Sequence, residues 1–212
     1  MLLLVMPVTR CARGLVAKRM GDDTAEREGM ITLNPFVHLD PIGSLLILLV
    51  GFGWGKPMNM NPSNFRNYRK GVILVSLSGP LSNLIMGYIC LVIYQLMMCS
   101  DYVVNALSSG SISPIVCILY ILYFLFSIST SLAVFYLLPI HPMDGFTILR
   151  FCAGGKFQQW YYRHEMQYRN ISMIVLILIF LLPSSINPLV YLIGLVQNLM
   201  WLTVSWIPSV IG

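Results

Sequence analysis

An all-α, polytopic integral membrane protein is the fold class this sequence predicts, with about four transmembrane helices and one re-entrant or interfacial segment. Three observations predict it. Hydrophobic residues make up 57% of the 212 residues and charged residues only 10%, against roughly 45–50% and about 25% in soluble domains. Between Gly71 and Leu149 the sole acidic or basic residues are Asp101 and Asp144, and from Asn170 to Gly212 there are none, so the ~20 apolar residues that a span needs are at hand. The Lys and Arg residues, 13 in all, fall into three clusters, Arg10–Arg27, Lys56–Lys70 and Arg150–Arg169.

That clustering assigns a topology. Cytoplasmic loops of membrane proteins are rich in Lys and Arg, so all three clusters are expected inside, and the loop around Asp101 outside. The parity agrees, because two spans between the second and third clusters return the chain to its starting side. The net charge of +5 therefore reports topology; the cations form no stripe interleaved with aromatic residues, and nucleic acid is not an expected partner. Cys11, Cys90, Cys99, Cys117 and Cys152 form no CxxC pair, which excludes a disulfide framework and a thiolate metal site. The apolar stretch Met1–Met6 lacks the basic start and the length of a cleavable leader.

Element by element, residues 1–20 predict a helix that begins apolar, turns basic and stops at Gly21-Asp22-Asp23. Arg10, Arg13 and Lys18 are too many cations for a lipid-exposed span and place this helix at the cytoplasmic interface. Residues 31–43, with Asn34-Pro35 and Asp40-Pro41, predict extended or turn backbone. The apolar run Ser44–Phe52 is half a span long and predicts the re-entrant piece. A polar loop follows from Lys56 to Lys70, turning at Asn61-Pro62. One apolar helix then spans about 71–98, interrupted at Gly79-Pro80, and a second about 115–138. After the stretch 150–169, expected to be cytoplasmic, apolar runs at 171–182 and 189–206 predict a C-terminal transmembrane hairpin. Two regions result: a membrane core over 1–150, and the cytoplasmic stretch with its hairpin over 151–212.

The residue most suggestive of chemistry is Asp144, in Leu138-Pro139-Ile140-His141-Pro142-Met143-Asp144-Gly145. A carboxylate at membrane depth costs about 2.5–3.5 kcal/mol on insertion scales and needs a partner, a cavity or a metal. An interfacial, solvated Asp close to Arg150 is the plain alternative. In Gly79-Pro80-Leu81-Ser82-Asn83 an amide lies one helical turn beyond a Gly-Pro step, an arrangement that also serves as packing between membrane helices.

Three further stretches, GLVAKRMGDDTAEREG from Gly14, LNPFVHLDPIG from Leu33 and GWGKPMN from Gly53, complete a pattern. In order and spacing the five motifs resemble the site-2 protease family of intramembrane zinc metallopeptidases, in its small bacterial form without a PDZ domain. The resemblance covers about residues 12–150. It implies cleavage of transmembrane protein substrates near the cytoplasmic side, in the bacterial cytoplasmic membrane, by a zinc ion held by two His of an HExxH helix and one Asp, with the Glu as general base. On this resemblance Asp144 falls on the Asp ligand, Gly145 beside it, Asn83 with Gly79 and Pro80 near the substrate, and His38 on a residue that supports the site.

The HExxH window itself departs from the family. It reads Thr9-Arg10-Cys11-Ala12-Arg13, with Thr9 and Arg13 at the two His positions and Arg10 at the position of the base. A guanidinium has no free lone pair for a metal, and zinc needs more than one carboxylate, so the chain as written is expected to be inactive and free of zinc. His141 is separated from Asp144 by Pro142, which breaks the helical face that would align them. The resemblance also implies a full apolar helix before this window, so the N-terminal helix reads as truncated. Val8-Thr9-Arg10 can be encoded GTC ACG AGR, which contains CAC GAR, His-Glu, in another frame; a shifted reading frame and a catalytically dead homologue that binds membrane helices are the two accounts that follow. A transporter is the third, supported by an intramembrane Asp and a broken helix but by no internal repeat.

Overall fold

The structure is a computed structural model that describes residues 3–50, 55–110 and 113–207; the first two residues of the Gly53–Asn59 motif and the last two of the run Ser44–Phe52 lie outside them. Every regular element among the described residues is helical, as the composition requires. The chain divides into two compact units, one of residues 1–82 with 135–182, the other of residues 83–134 with 183–212.

In the first unit, α1 (Val5–Met20) ends where the sequence places its stop. Gly21 adopts φ 112°, open to glycine and strained for other residues, and the Gly21 and Asp22 amides close on the carbonyls of Lys18 and Ala17 at 3.0 Å each, a Schellman ending. Asp22 is then fully buried. Its carboxylate accepts hydrogen bonds from Thr24 N (3.2 Å), Thr24 Oγ1 (2.5 Å), Asn61 N (2.8 Å) and Asn64 Nδ2 (3.0 Å). Arg66 N donates to Met20 O at 2.8 Å, and beneath these bonds Ala17, Phe65 and Val75 form a small core with Val16, Met20, Met60 and Val72. One buried carboxylate thus ties the end of α1 to the polar loop before the first long helix.

Residues 31–43 differ from expectation. Both prolines start helices instead of preventing them: α3 (Pro35–His38) and α4 (Pro41–Val50). Proline suits the first helical position, where its missing N–H has no partner to lose, and Asn34 and Asp40 cap the two starts by accepting from Phe36 N (3.1 Å) and Gly43 N (2.7 Å). With 10 residues and about 1.5 Å of rise per residue, α4 reaches half-way across a bilayer at most. After α2 (Thr24–Arg27) and a 3-10 turn at Pro62–Asn64, α5 (Tyr68–Met98) runs unbroken through Pro80, where an interruption was expected. Pro80 withholds the N–H that the Ser76 carbonyl would accept, and the hydroxyls of Ser78 and Ser82 donate to the nearby carbonyls of Val75 and Gly79 at 2.7 Å each.

The stretch 150–169 is likewise helical. It comprises the end of α8 (Asp144–Cys152) and the first half of α9 (Gly155–Leu181), which leaves helical geometry only at His164. Its Gln, Lys, Arg and Glu are good helix formers in a polar setting, so one helix carries both the basic segment and the apolar run.

The second unit contains the C-terminal half of α5, α6 (Asp101–Ser108), α7 (Pro114–Tyr136) up to Val134, and α10 (Pro188–Val204). Its core gathers Cys90, Leu91, Phe126, Val204 and Ile207, with Trp201 set edge-on to Tyr94 at 5.9 Å. Gln197 of α10 donates to Ser127 Oγ of α7 at 3.3 Å, the polar cross-link that helices use in lipid. Helices α5 and α7 are long and apolar enough to cross a membrane, and α10 is a shorter apolar helix. Large apolar side chains on α7, including Tyr120, Ile121 and Phe124, point outward, a surface suited to lipid and not to water.

The Asp22 network generates a prediction. Asp22→Ala removes the buried acceptor of four hydrogen bonds from Thr24, Asn61 and Asn64, and is expected to cost about 1–3 kcal/mol. Burial alone would raise the Asp22 pKa, but the hydrogen bonds from Thr24, Asn61 and Asn64 outweigh it and hold the group below the usual carboxylate range. The stabilisation is complete above the unfolded carboxyl's value near 4 and disappears as pH falls through the lower native value. Denaturation of the detergent-solubilised wild type and variant should therefore show a gap at pH 7 that narrows in that acid range.

Candidate functional site

Asp144 is the first residue of α8, following an extended Met143, so its carboxylate sits at the helix end that favours negative charge. Gly145 fixes its position. The backbone of Gly145 lies against the Leu137 carbonyl, where any Cβ would strike main-chain atoms, and only glycine allows α8 to start so close to the end of α7. This accounts for the Asp-Gly order in physical terms.

Opposite Asp144 stands Arg13, from the third turn of α1. Its Nη2 donates to Asp144 Oδ2, forming an ion pair in which the two side chains are only 19% and 16% exposed. The guanidinium also lies over the Tyr136 ring, 5.3 Å from its centroid, and against the backbone of Gly79 on α5, in the space a side chain there would occupy. Arg13 therefore joins α1, the first-unit part of α5, the end of α7 and α8. Burial raises the Asp144 pKa, and the charge and hydrogen bond of Arg13 oppose that rise.

Arg10 lies one turn earlier on the same helix. It is half-buried, and its Nη1 is shielded from solvent with no hydrogen-bond partner among the described residues. Thr9 is buried and donates its hydroxyl to Val5 O at 2.8 Å. The residues present do not fit a zinc ion. Asp144 Oδ2 already accepts from a guanidinium, the neighbouring α1 positions carry a hydroxyl and a second guanidinium, and no group of three His, Cys, Asp or Glu suited to a metal occurs among the described residues.

The other expected site residues divide. Gly79 is part of the Arg13 environment, and Pro80 is buried in the turn beside it. His38 is fully buried, with Nε2 2.9 Å from Thr32 O, while its own carbonyl accepts from Lys56 N at 2.9 Å; it joins the residues before α3 to the chain at Lys56, a structural role. Asn83 is fully buried in the second unit. His141 packs edge-on against Phe146, with 6.0 Å between ring centroids; burial, then the charges of Arg169 and Arg150, lower its pKa despite Glu165.

Sequence reasoning treated Arg13 as a lost ligand and overlooked it as a partner. The signal was present: a membrane-depth acid requires a counter-charge, and Arg10, Arg13 and Lys18 are cations of an N-terminal helix that begins apolar. Tyr136 and Asp22 gave no comparable signal, since a Tyr at the end of an apolar helix and an Asp after a helix stop are common features.

Residues 17–182 match the family described as Peptidase family M50; the match begins after the Thr9–Arg13 window. A protein of Bacillus subtilis (strain 168) named "Putative zinc metalloprotease YwhC" is 38% identical over 138 residues, covering 65% of this chain and 60% of that protein. The chain thus spans about 60% of the length of this relative. No solved structure matches significantly.

Three variants test the geometry. Arg13→Ala, which leaves a largely buried carboxylate without its partner, is expected to cost about 1–3 kcal/mol, whereas Arg13→Leu combined with Asp144→Leu should recover most of that loss, because an apolar pair avoids the desolvation of two ions. Chemical denaturation of the three proteins in one detergent measures both effects. Gly145→Ala should cost a further, independent ~1–3 kcal/mol through overpacking against Leu137.

Proposed function

Because this chain belongs to peptidase family M50, the site-2 protease family, we propose that it is a site-2 protease-like membrane protein that, as written, is catalytically inactive and holds transmembrane segments of other proteins without cleaving them. The observation that carries this reading is the Arg13–Asp144 ion pair. In the family, zinc supplies a water activated for attack on the peptide bond. Here the carboxylate that would hold it accepts from Arg13, and Thr9 and Arg10 offer neither an imidazole nor a basic carboxylate. What persists is a membrane scaffold with a kept Asp144-Gly145 start, the Gly79-Pro80 turn and the buried amide of Asn83.

The proposal extends to placement. The bacterial relative and the three basic clusters support a bacterial cytoplasmic membrane with those clusters inside. The apolar end of α9 and α10 form the second transmembrane hairpin, giving about four spans with α5 and α7. Asp144, six residues from the basic Arg150, then lies near the inner boundary.

A second reading rests on the coding ambiguity at Val8-Thr9-Arg10. If the genomic DNA reads His-Glu and a second His in frame before Gly14, the natural protein is an intact zinc peptidase; sequencing the locus decides between the two.

The functional test is reconstitution. The chain as written, purified from membranes, is expected to carry no stoichiometric zinc, while Thr9→His with Arg10→Glu and Arg13→His restores HExxH opposite Asp144 and should bind about one zinc per chain. Elemental analysis reads the outcome. Zinc in the unaltered chain would overturn the proposal, as would failure of a photo-crosslinker at the exposed Leu81 to capture any transmembrane peptide.

A further inference from the structure

Away from that site, the cations of α9 border a cavity that neither the fold nor the proposed function requires. The helix leaves regular geometry at His164, whose Nδ1 donates to the Trp160 carbonyl at 2.9 Å. Beside this break lies a cavity of ≈ 390 Å³ lined by Tyr162, Arg163, Glu165, Met166 and Arg169. Two guanidinium groups face one carboxylate, and neither arginine has an ion-pair partner among the described residues. Arg150 of α8 adds a third cation, 5.9 Å from the Tyr162 ring centroid. The cavity wall is net positive and offers a phenol and guanidinium forks, the donors that suit an oxyanion.

Its apolar side continues along the helix. Tyr162 and Met166 are 60% and 68% exposed, and on the same helical face beyond Arg169 follow Met173, Ile177 and Phe180, 49%, 57% and 63% exposed. No charge interrupts α9 beyond Arg169, so the cavity sits at the level where this helix passes from polar surroundings into hydrocarbon. Aromatic and basic side chains at that level anchor to headgroups.

We propose that Arg163, Arg169 and Tyr162 bind the headgroup phosphate of an anionic phospholipid, whose acyl chains lie along the exposed row Met173, Ile177 and Phe180. The lipid phosphate is favoured over a dissolved one by the continuity of cavity and apolar row, since a free anion gains nothing from the second. The site is independent of whether the Arg13–Asp144 centre is catalytic.

The full-length chain in nanodiscs holding equal amounts of phosphatidylglycerol and phosphatidylcholine provides the test, with co-purifying lipid counted by native mass spectrometry. A cation beside the headgroups is worth about fivefold in binding, so the wild type should retain phosphatidylglycerol about 25-fold over phosphatidylcholine. Arg163→Gln with Arg169→Gln should bring that ratio close to one, and Lys56→Gln with Lys70→Gln should leave it unchanged. Equal retention of the two lipids by the wild type would overturn the proposal without recourse to any variant. So would unaltered enrichment in the Arg163/Arg169 variant, or displacement of phosphatidylglycerol by millimolar inorganic phosphate, which would make the cavity a free-anion site.

Discussion

The arrangement depends on one electrostatic constraint: two opposite charges brought out of water must meet. Arg13 and Asp144 are 131 residues apart in sequence, and each alone would be costly in a place less than one-fifth exposed. Together they fix α1 against the start of α8. The guanidinium does more than neutralise, because its flat face covers Tyr136 and its edge lies over Gly79. Helix α1, too polar to be a span, is thereby given a defined seat. The same contact determines the chemistry, since a carboxylate that accepts from a guanidinium is a poor candidate to ligate a dication.

Two other features serve this contact from a distance. Asp22 anchors the far end of α1 to the loop carrying Asn61 and Asn64, which sets where Arg13 can reach. Gly145 lets α8 start flush against the end of α7, which sets where Asp144 can be met. Buried carboxylates hold α1 at two places, its C-terminal end through Asp22 and neutral donors, and its middle through Asp144 and the cation Arg13. A buried charge needs several donors or a counter-ion, and this chain uses each solution once.

Much of this was legible in the sequence. The membrane class followed from charge depletion, the end of α1 from Gly21, and the first long helices from their long apolar runs. The family followed from five spaced motifs, Asp144 among them. Local expectations failed at the prolines: Asn34 and Asp40 cap two helices that begin on proline, and α5 runs through Pro80. The basic stretch after Arg150 was read by its charge, although its residues favour helix. The Arg13–Asp144 pairing is a long-range contact that no local pattern encodes; it follows only from asking which cation a membrane-depth carboxylate must find.

That pairing is also the claim most open to direct measurement. In a chain whose five native cysteines are replaced by serine, Arg13→Cys and Asp144→Cys can be combined and treated in native membranes with a bis-maleimide long enough to replace the Arg13 side chain, a gap wider than a disulfide bridges, and the cross-link between the two positions sought by peptide mass spectrometry. Efficient cross-linking of this pair is the predicted result, with none when Lys18→Cys takes the place of Arg13→Cys. Absence of the cross-link between positions 13 and 144 would mean that α1 does not meet α8, and that Asp144 remains open to another partner.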